Sequence, residues 1–138
     1  MNRILMISTG GTLASSHSDN GLAPELHVRD ILDRIAGLTT GFAVEEEELF
    51  MMDSSNMQPE EWELLAKRIY ERRLDFDGIV VIHGTDTLAY TAAALSFALQ
   101  NIEIPVVLTG SQVSIENPIA DATENCRAAL HMAASGCP

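Results

Sequence analysis

Two short turns place hydroxyl and carboxylate side chains directly after apolar runs that are typical of strands. Residues 9–12 (Thr-Gly-Gly-Thr) follow the run at 3–8, and residues 83–87 (His-Gly-Thr-Asp-Thr) follow the run at 78–82. In open α/β sheets, ligands bind in the crevice just outside the carboxyl ends of the strands. The two turns are therefore the main candidates for a chemical site.

Thr12 is the candidate nucleophile of the first turn. A threonine hydroxyl attacks a carbonyl only if a base removes its proton and hydrogen-bond donors hold the resulting oxyanion. Gly10 and Gly11 would let the backbone approach a ligand closely. A plain glycine turn, in which the threonine makes a local hydrogen bond, explains the same residues.

The second turn offers Thr85 and Asp86. Asp86 could anchor a substrate ammonium group, and Thr85 could relay a proton or polarise water. Both residue types are also favoured at the start of a helix, so capping is the alternative interpretation. His83, at the end of a buried strand, is expected to be a hydrogen-bonded scaffold residue.

Asp53, Ser54 and Ser55 follow the second predicted strand and should reach the same edge of the sheet. Serine hydroxyls and backbone N–H groups there could hold a substrate carboxylate. A side-chain-bonded turn that leads into the next helix is the alternative. Residues 109–112 end the fourth predicted strand and join this rim.

Strand and helix patterns alternate along the chain. The predicted strands are at about 3–8, 43–51, 79–82 and 105–109, and the predicted helices are at about 27–36, 59–72, 87–100 and 121–135. Residues 14–24, rich in Gly, Ser and Asn, are expected to form a loop. The alternation predicts an α/β fold, a parallel-sheet (Rossmann-like) three-layer domain with helices on both faces.

Composition limits the classes of partner. One domain is the expected organisation for 138 residues, and a net charge of −12 disfavours nucleic acid or an anionic membrane as a partner. The acidic run at 45–48 is expected to be a solvated strand edge or face. The two cysteines make neither a disulfide framework nor a zinc site, and no metal is expected. No signal peptide or long apolar run is apparent, so a cytoplasmic location is expected.

Several segments, in order along the whole chain, resemble the bacterial type I (cytoplasmic) L-asparaginases. The matching stretches are T-G-G-T-L-A at 9–14, D-S-S-N-M at 53–57, D-G-I-V-V-I-H-G-T-D-T-L-A-Y-T-A at 77–92 and P-V-V-L-T-G-S-Q at 105–112. The long H-G-T-D-T-L-A-Y-T stretch is highly specific, and T-G-G-T supports it in the right place.

The resemblance implies a hydrolase that converts L-asparagine to L-aspartate and ammonia without a metal or organic cofactor. In that pattern Thr12 attacks the side-chain amide and forms an acyl-enzyme, which water then cleaves. Thr85 would act with a lysine, and Asp86 would bind the substrate ammonium. The α-amino and α-carboxylate groups would be held by Asp53, Ser54 and Ser55.

The family resemblance also implies a two-domain protein that assembles as a homo-oligomer. Residues 1–138 are therefore expected to be an amino-terminal asparaginase domain without its carboxy-terminal domain. A non-catalytic amino-acid-binding fragment is one alternative. An amidotransferase subunit that releases ammonia for use on aminoacyl-tRNA is the other, although the acidic balance of the chain weighs against it.

Three features depart from the family pattern. Family members are considerably longer than this chain, and the resemblance implies that the lysine partner of Thr85 comes after residue 138. Lys67, the only lysine here, lies within a surface-type helix. Leu22 stands near a position where many relatives carry a tyrosine, which leaves the base for Thr12 unassigned. Asn56 stands where an acid is frequent. We therefore expect the 138-residue chain to be catalytically deficient.

Overall fold

A computed structural model of the chain describes residues 1–11, 15–18, 21–24, 28–35, 37, 39–115, 117 and 121–138. The strands are β1 (Asn2–Gly10), β2 (Ser15–Ser18), β3 (Gly21–Pro24), β4 (Phe42–Met52), β5 (Gly78–Ile82) and β6 (Val106–Thr109). The helices are α1 (Val28–Arg34), α2 (Pro59–Arg72), α3 (Leu88–Ala98) and α4 (Ala122–Ala133), with a 3-10 turn at Ser54–Asn56.

Among the described residues, the main sheet has four strands in the order β4-β1-β5-β6. All three strand pairs are parallel. From β1 the chain moves outward to β4 on one side, and it then returns to place β5 on the other side of β1. This reversal creates a crevice between the carboxyl ends of β1 and β5, where open α/β sheets bind ligands.

Both faces of the sheet are covered by helices. Successive residues of a strand point to opposite faces, which is why buried parallel strands read as continuous apolar runs. One core contains Ile4 and Met6 of β1 together with side chains of α1 and α4. The other core contains Leu5 and Ile7 with side chains of α2 and α3. Full burial of each such side chain contributes about 1.5–3 kcal/mol to stability. Because helices cover both faces of the parallel sheet, the predicted three-layer α/β fold is confirmed.

Helix α2 begins and ends where the sequence predicts. Pro59 occupies its first turn, where the missing N–H costs nothing. Glu61 reaches back and accepts a hydrogen bond from the backbone N–H of Gln58 at 2.8 Å. An apolar face of Leu65 and Ile69, both fully buried, fixes the helix on the sheet.

The loop prediction for residues 14–24 is wrong. β2 and β3 pair as an antiparallel hairpin, with Ser15 opposite Pro24 and Ser18 opposite Gly21. Each strand has only four residues, and this Gly/Ser-rich sequence has little of the apolar alternation by which strands are recognised. Backbone pairing, which is independent of side-chain type, defines the hairpin.

The prediction that the acidic run at 45–48 is simply solvated is also wrong. β4 is an edge strand of the sheet among the described residues. However, Glu47 has a side chain that is only 17% exposed and binds Arg68 and Arg72 of α2. Glu46 pairs with Arg29 of α1 at 3.2 Å. The run therefore connects the edge strand to helices of both layers instead of being simply solvated.

The described residues contain no candidate membrane span and no candidate metal cluster. No helix among them is long and apolar enough to cross a membrane. No group of three or more His, Cys, Asp or Glu side chains in this part of the chain is arranged to hold a metal ion. Cys126 is buried, and burial raises the pKa of its thiol to about 12.

Candidate active site

The candidate segments lie along one edge of the sheet, at the carboxyl ends of its strands. The parallel register places Ser8 of β1 beside Ile82 of β5, and Ile82 beside Thr109 of β6. Gly10 of β1 lies opposite Met52 of β4. The turns that follow these strands therefore share one rim, as the sequence predicts.

Two glycines bring the end of β1 into backbone contact with its neighbours. A Cβ atom on Gly10 would lie 2.4 Å from the carbonyl oxygen of Met52, and one on Gly11 would lie 2.5 Å from both Cα and N of Gly84. Their φ angles, +99° and +88°, are also in the region that favours glycine. A side chain at either position would separate the β1 turn from the turns of β4 and β5.

The turn after β5 also packs closely against the segment after β4. A Cβ atom on Gly84 would lie 2.5 Å from Oγ of Ser54. The Thr87 hydroxyl donates a hydrogen bond to the carbonyl oxygen of Ser54 at 2.8 Å. The three segments that carry candidate residues are therefore connected through Gly11, Gly84 and Ser54.

Thr12 lies outside the described residues, so its role remains a prediction. Gly11, the residue before it, is buried and contacts Gly84. Thr9, the other threonine of this turn, is also buried, and its hydroxyl donates to the carbonyl oxygen of Ile82 at 2.8 Å. The hydroxyl of Thr9 is thus committed to holding β1 against β5.

Thr85 and Asp86 are not helix caps. Helix α3 begins at Leu88, and its N-cap residue is Thr87. Thr85 is half-buried and Asp86 is exposed. Neither side chain makes a hydrogen bond or ion pair with another described residue. As far as the described residues are concerned, both groups are open to a ligand that enters the crevice.

Asp53 forms a side-chain-bonded turn, the alternative interpretation of residues 53–55. Its Oδ1 accepts hydrogen bonds from the backbone N–H of Ser55 at 2.9 Å and from the Ser55 hydroxyl at 2.8 Å. Both bonds lower the pKa of the Asp53 carboxyl, the backbone one most, and burial opposes them. Asp53 and Ser55 are exposed, whereas Ser54 is 4% exposed beside Gly84.

His83 is fully buried behind the β5 turn, and its expected scaffold role is confirmed. Its Nδ1 lies 2.7 Å from the carbonyl oxygen of Gly84, and its Nε2 lies 2.8 Å from Oγ1 of Thr91. Burial lowers the pKa of His83, against an opposing effect of the bond to Gly84. The Trp62 indole N–H in turn donates to Thr91 at 2.8 Å.

No pattern in the sequence indicates that Thr91 and Trp62 belong to this part of the molecule. In the sequence, Trp62 fits the apolar face of the helix at 59–72, and Thr91 lies within an apolar helix. The two residues lie 29 positions apart on different helices, so no periodicity within one element relates them. The one available signal is His83 itself. A buried histidine needs hydrogen-bond partners for both ring nitrogens, but the sequence does not identify them.

The turn after β6 is held by α4. Asn125 donates to the carbonyl oxygen of Gly110 at 2.8 Å and to the carboxylate of Asp121 at 3.0 Å. The Ser111 hydroxyl donates to the carbonyl oxygen of Val113 at 2.7 Å. These bonds complete the rim on the side of β6.

The family described as "Asparaginase, N-terminal" matches residues 3–137 of the chain. The chain belongs to the asparaginase family. This membership agrees with the resemblance in the turns at 9–12 and 83–87.

Individual asparaginase relatives agree with this assignment. The chain is 44% identical to "L-asparaginase" of Thermococcus kodakarensis over 99% of its own length and 42% of that protein. The solved structure of that thermostable enzyme superposes with a TM-score of 0.89. "L-asparaginase 1" of Escherichia coli is 40% identical, with 96% of this chain and 40% of that protein covered.

A second group of relatives carries a different name. A glutamyl-tRNA(Gln) amidotransferase subunit of Aeropyrum pernix is 40% identical over 99% of this chain and 33% of its own length. The chain thus spans between a third and about two fifths of the length of these curated relatives.

Proposed function

We propose that this chain provides the strand-end part of an active site that hydrolyses L-asparagine to L-aspartate and ammonia. The observation that carries the proposal is the backbone contact between Gly11 and Gly84. It brings the turn that leads to Thr12 against the turn that bears Thr85 and Asp86, whose side chains make no hydrogen bond or ion pair with other described residues. Membership of the asparaginase family supports the same reaction.

In the proposed reaction, the Thr12 hydroxyl attacks the side-chain amide carbonyl of asparagine. Its proton passes to a base and then to the leaving nitrogen, which departs as ammonia and leaves an aspartyl ester on Thr12. Water then attacks the ester, which releases aspartate and returns a proton to the threonine oxygen. The reaction uses no metal or organic cofactor.

Thr85 is proposed as the second hydroxyl, which relays a proton during attack or water addition. A lysine is proposed as its partner. Lys67, the only lysine of the chain, is exposed on α2. We therefore propose that the partner lysine comes from sequence outside these 138 residues. The match covers only 42% of the Thermococcus kodakarensis relative, which is therefore much longer.

Substrate binding is assigned by charge. Asp86 would hold the ammonium group, since it is an acid on the rim with no protein partner among the described residues. Asp53, Ser54 and Ser55 would hold the α-amino and α-carboxylate groups. A hydrogen bond that involves a charged group contributes about 1.5–3 kcal/mol, so these contacts would orient the amide toward Thr12.

The proposal is tested by measuring ammonia release from L-asparagine and L-glutamine with the full-length protein. Thr12→Ala should fold normally and lose several orders of magnitude in kcat, the usual consequence of removing a nucleophile. Thr40→Ala, the same change at an exposed threonine, is the matched control and should retain full activity. If Thr12→Ala kept more than about a tenth of the turnover, the nucleophile would lie elsewhere, with Thr85 the next candidate.

We propose that residues 1–138 are the amino-terminal domain of a two-domain, cytoplasmic homo-oligomer. The isolated chain should then turn over L-asparagine about 10²–10⁴-fold more slowly than the full-length protein, the usual contribution of a general acid or base. Equal turnover by the two proteins would contradict this part of the proposal, and light scattering would test the oligomer.

The identity to the archaeal amidotransferase subunit favours a second candidate function, ammonia release for use on aminoacyl-tRNA. A purified protein that releases ammonia only when glutamyl-tRNA and a second protein component are present would support this candidate. Saturable asparagine binding without any ammonia release would instead indicate an amino-acid-binding protein.

A further inference from the structure

A buried chain of hydrogen bonds runs from helix α2 through helix α3 to the turn that carries Thr85. The Trp62 indole nitrogen lies 2.8 Å from Oγ1 of Thr91, and this oxygen lies 2.8 Å from Nε2 of His83. Nδ1 of His83 lies 2.7 Å from the carbonyl oxygen of Gly84. His83 and Thr91 are both 0% exposed.

The chemistry of the partners fixes the direction of every bond. The Gly84 carbonyl can only accept, so Nδ1 of His83 carries the proton. The Trp62 indole N–H can only donate, so it uses one lone pair of Thr91. In a neutral imidazole with its proton on Nδ1, Nε2 is an acceptor and receives the Thr91 hydroxyl proton. The direction of donation is therefore Trp62 to Thr91 to His83 to Gly84.

Burial favours the neutral ring that this direction requires. Desolvation lowers the pKa of His83, as expected for a cation with no water around it. A protonated ring would present a second N–H to Thr91, whose oxygen already accepts from Trp62. The hydroxyl proton of Thr91 would then lose its acceptor on the ring, so the buried chain of bonds fits only one tautomer.

The hydrogen bond from His83 to Gly84 fixes the orientation of the peptide group next to Thr85. The carbonyl of Gly84 and the N–H of Thr85 belong to one planar, trans peptide and point in opposite directions. Gly84 itself is confined between Gly11 and Ser54. When His83 holds the carbonyl oxygen toward the interior, the N–H of Thr85 faces away from the histidine.

We propose that His83, Thr91 and Trp62 form a positioning relay that holds the Gly84–Thr85 peptide in one orientation, so that Thr85 and Asp86 are presented to the substrate in a fixed geometry. This inference rests on the proposed function, because it names the device that orders part of that site. None of the three residues touches substrate in this scheme. They act through the peptide that precedes Thr85.

The test uses Thr91→Val in the full-length protein, which keeps the shape of the side chain and removes the hydroxyl. We expect kcat for L-asparagine, per folded molecule, to fall about ten- to a hundredfold, with a smaller change in KM, since small misplacements of reacting groups carry losses of this size. Thr91→Ser should restore turnover because it returns the hydroxyl. Ser96→Ala removes an exposed hydroxyl of the same helix that donates to the carbonyl oxygen of Ala93, and it should have no effect.

A spectroscopic readout judges the relay independently of activity. Long-range ¹H–¹⁵N correlation of the His83 ring should show a neutral ring with its proton on Nδ1. Thr91→Val should shift the amide resonances of Gly84, Thr85 and Asp86. A proton on Nε2 in the wild type, or unchanged amide resonances, would overturn the relay. If Thr91→Val does not fold, Trp62→Phe takes its place, and an unchanged kcat in that variant would also overturn it.

The outcomes separate this inference from the proposed function. A wild-type protein that releases no ammonia from asparagine or glutamine would refute the function, and the ring and amide spectra would then decide on the relay alone. An active wild type whose Thr91→Val variant loses thermal stability but keeps its kcat would refute the relay and leave the function standing.

Discussion

Gly11 and Gly84 are in backbone contact: a Cβ atom on Gly11 would lie 2.5 Å from both Cα and N of Gly84. The contact joins the turns after β1 and β5, at the point where the strand order reverses. Backbone atoms in such a contact have little freedom to adjust. The relative position of the two turns is therefore set by the fold, before any side chain of the site adopts a rotamer.

Gly84→Ala should displace the turn after β5 from the segment after β4. The added methyl group would lie 2.5 Å from Oγ and 2.6 Å from Cβ of Ser54, and overpacking of this kind typically costs about 1–3 kcal/mol. We expect a lower midpoint in urea unfolding and a large loss of turnover. Gly37→Ala, where nothing lies within 4 Å, is the matched control. Wild-type kcat in Gly84→Ala would show that close packing of Gly84 against Ser54 is not needed for catalysis.

The sequence predicts most of the fold because the main elements have strong periodic patterns. Helix α2 at Pro59–Arg72 agrees in full, and β5 differs by one residue at its start. The strand order cannot be obtained in this way, since periodicity identifies which face of a strand is buried but not which strand is its neighbour. The β2–β3 hairpin was missed because backbone hydrogen bonds define it.

The candidate site, like the fold, is predicted only in part by the sequence. Placement of Asp53, Thr85 and Asp86 on one rim follows from their positions directly after strands. Whether each is a cap, a turn residue or a free group depends on where the helix starts, and α3 starts at Leu88. The partners of His83 depend on packing between helices that are distant in sequence, which no local pattern encodes.

Asp86→Asn should weaken substrate binding and leave stability unchanged. The carboxylate has no partner among the described residues, so its loss removes no native contact with them. Loss of a charged hydrogen bond of about 1.5–3 kcal/mol corresponds to a rise in KM of roughly 10- to 150-fold. Asp33→Asn, at an exposed position of α1, is the control. An unchanged KM combined with a large fall in Tm would mean that Asp86 is a structural residue.

Asp53→Ala should loosen the 3-10 turn at Ser54–Asn56, because Asp53 accepts two hydrogen bonds from Ser55. These bonds lower the pKa of Asp53 in the folded state. The stability that they provide is therefore present above the ordinary value of 3.8 and is lost as the pH falls through the lowered folded value. Asp53→Asn keeps one acceptor oxygen and should be intermediate in urea unfolding at about pH 7. Equal stability of all three proteins would argue against this role.

His83 should make stability depend on pH in a higher window. Its pKa is lowered in the folded state from an ordinary value of 6.5. The unfolded chain therefore takes up a proton before the folded protein does. Stability should fall as the pH drops below about 6.5, and the loss should level off once the pH is below the folded pKa. The slope for one proton cannot exceed about 1.4 kcal/mol per pH unit.

His83→Asn isolates this effect. Its side-chain N–H₂ can replace the Nδ1 donor to Gly84, but it does not titrate, and the neighbours Thr91 and Trp62 do not titrate in this range either. Urea unfolding between about pH 5 and 7.5 should therefore show a flatter profile for the variant than for the wild type. The other three histidines are common to both proteins, so their contributions cancel in the difference. Parallel profiles would mean that the buried ring keeps its ordinary pKa, and that burial does not hold His83 in the neutral form on which its bonds to Thr91 and Gly84 depend.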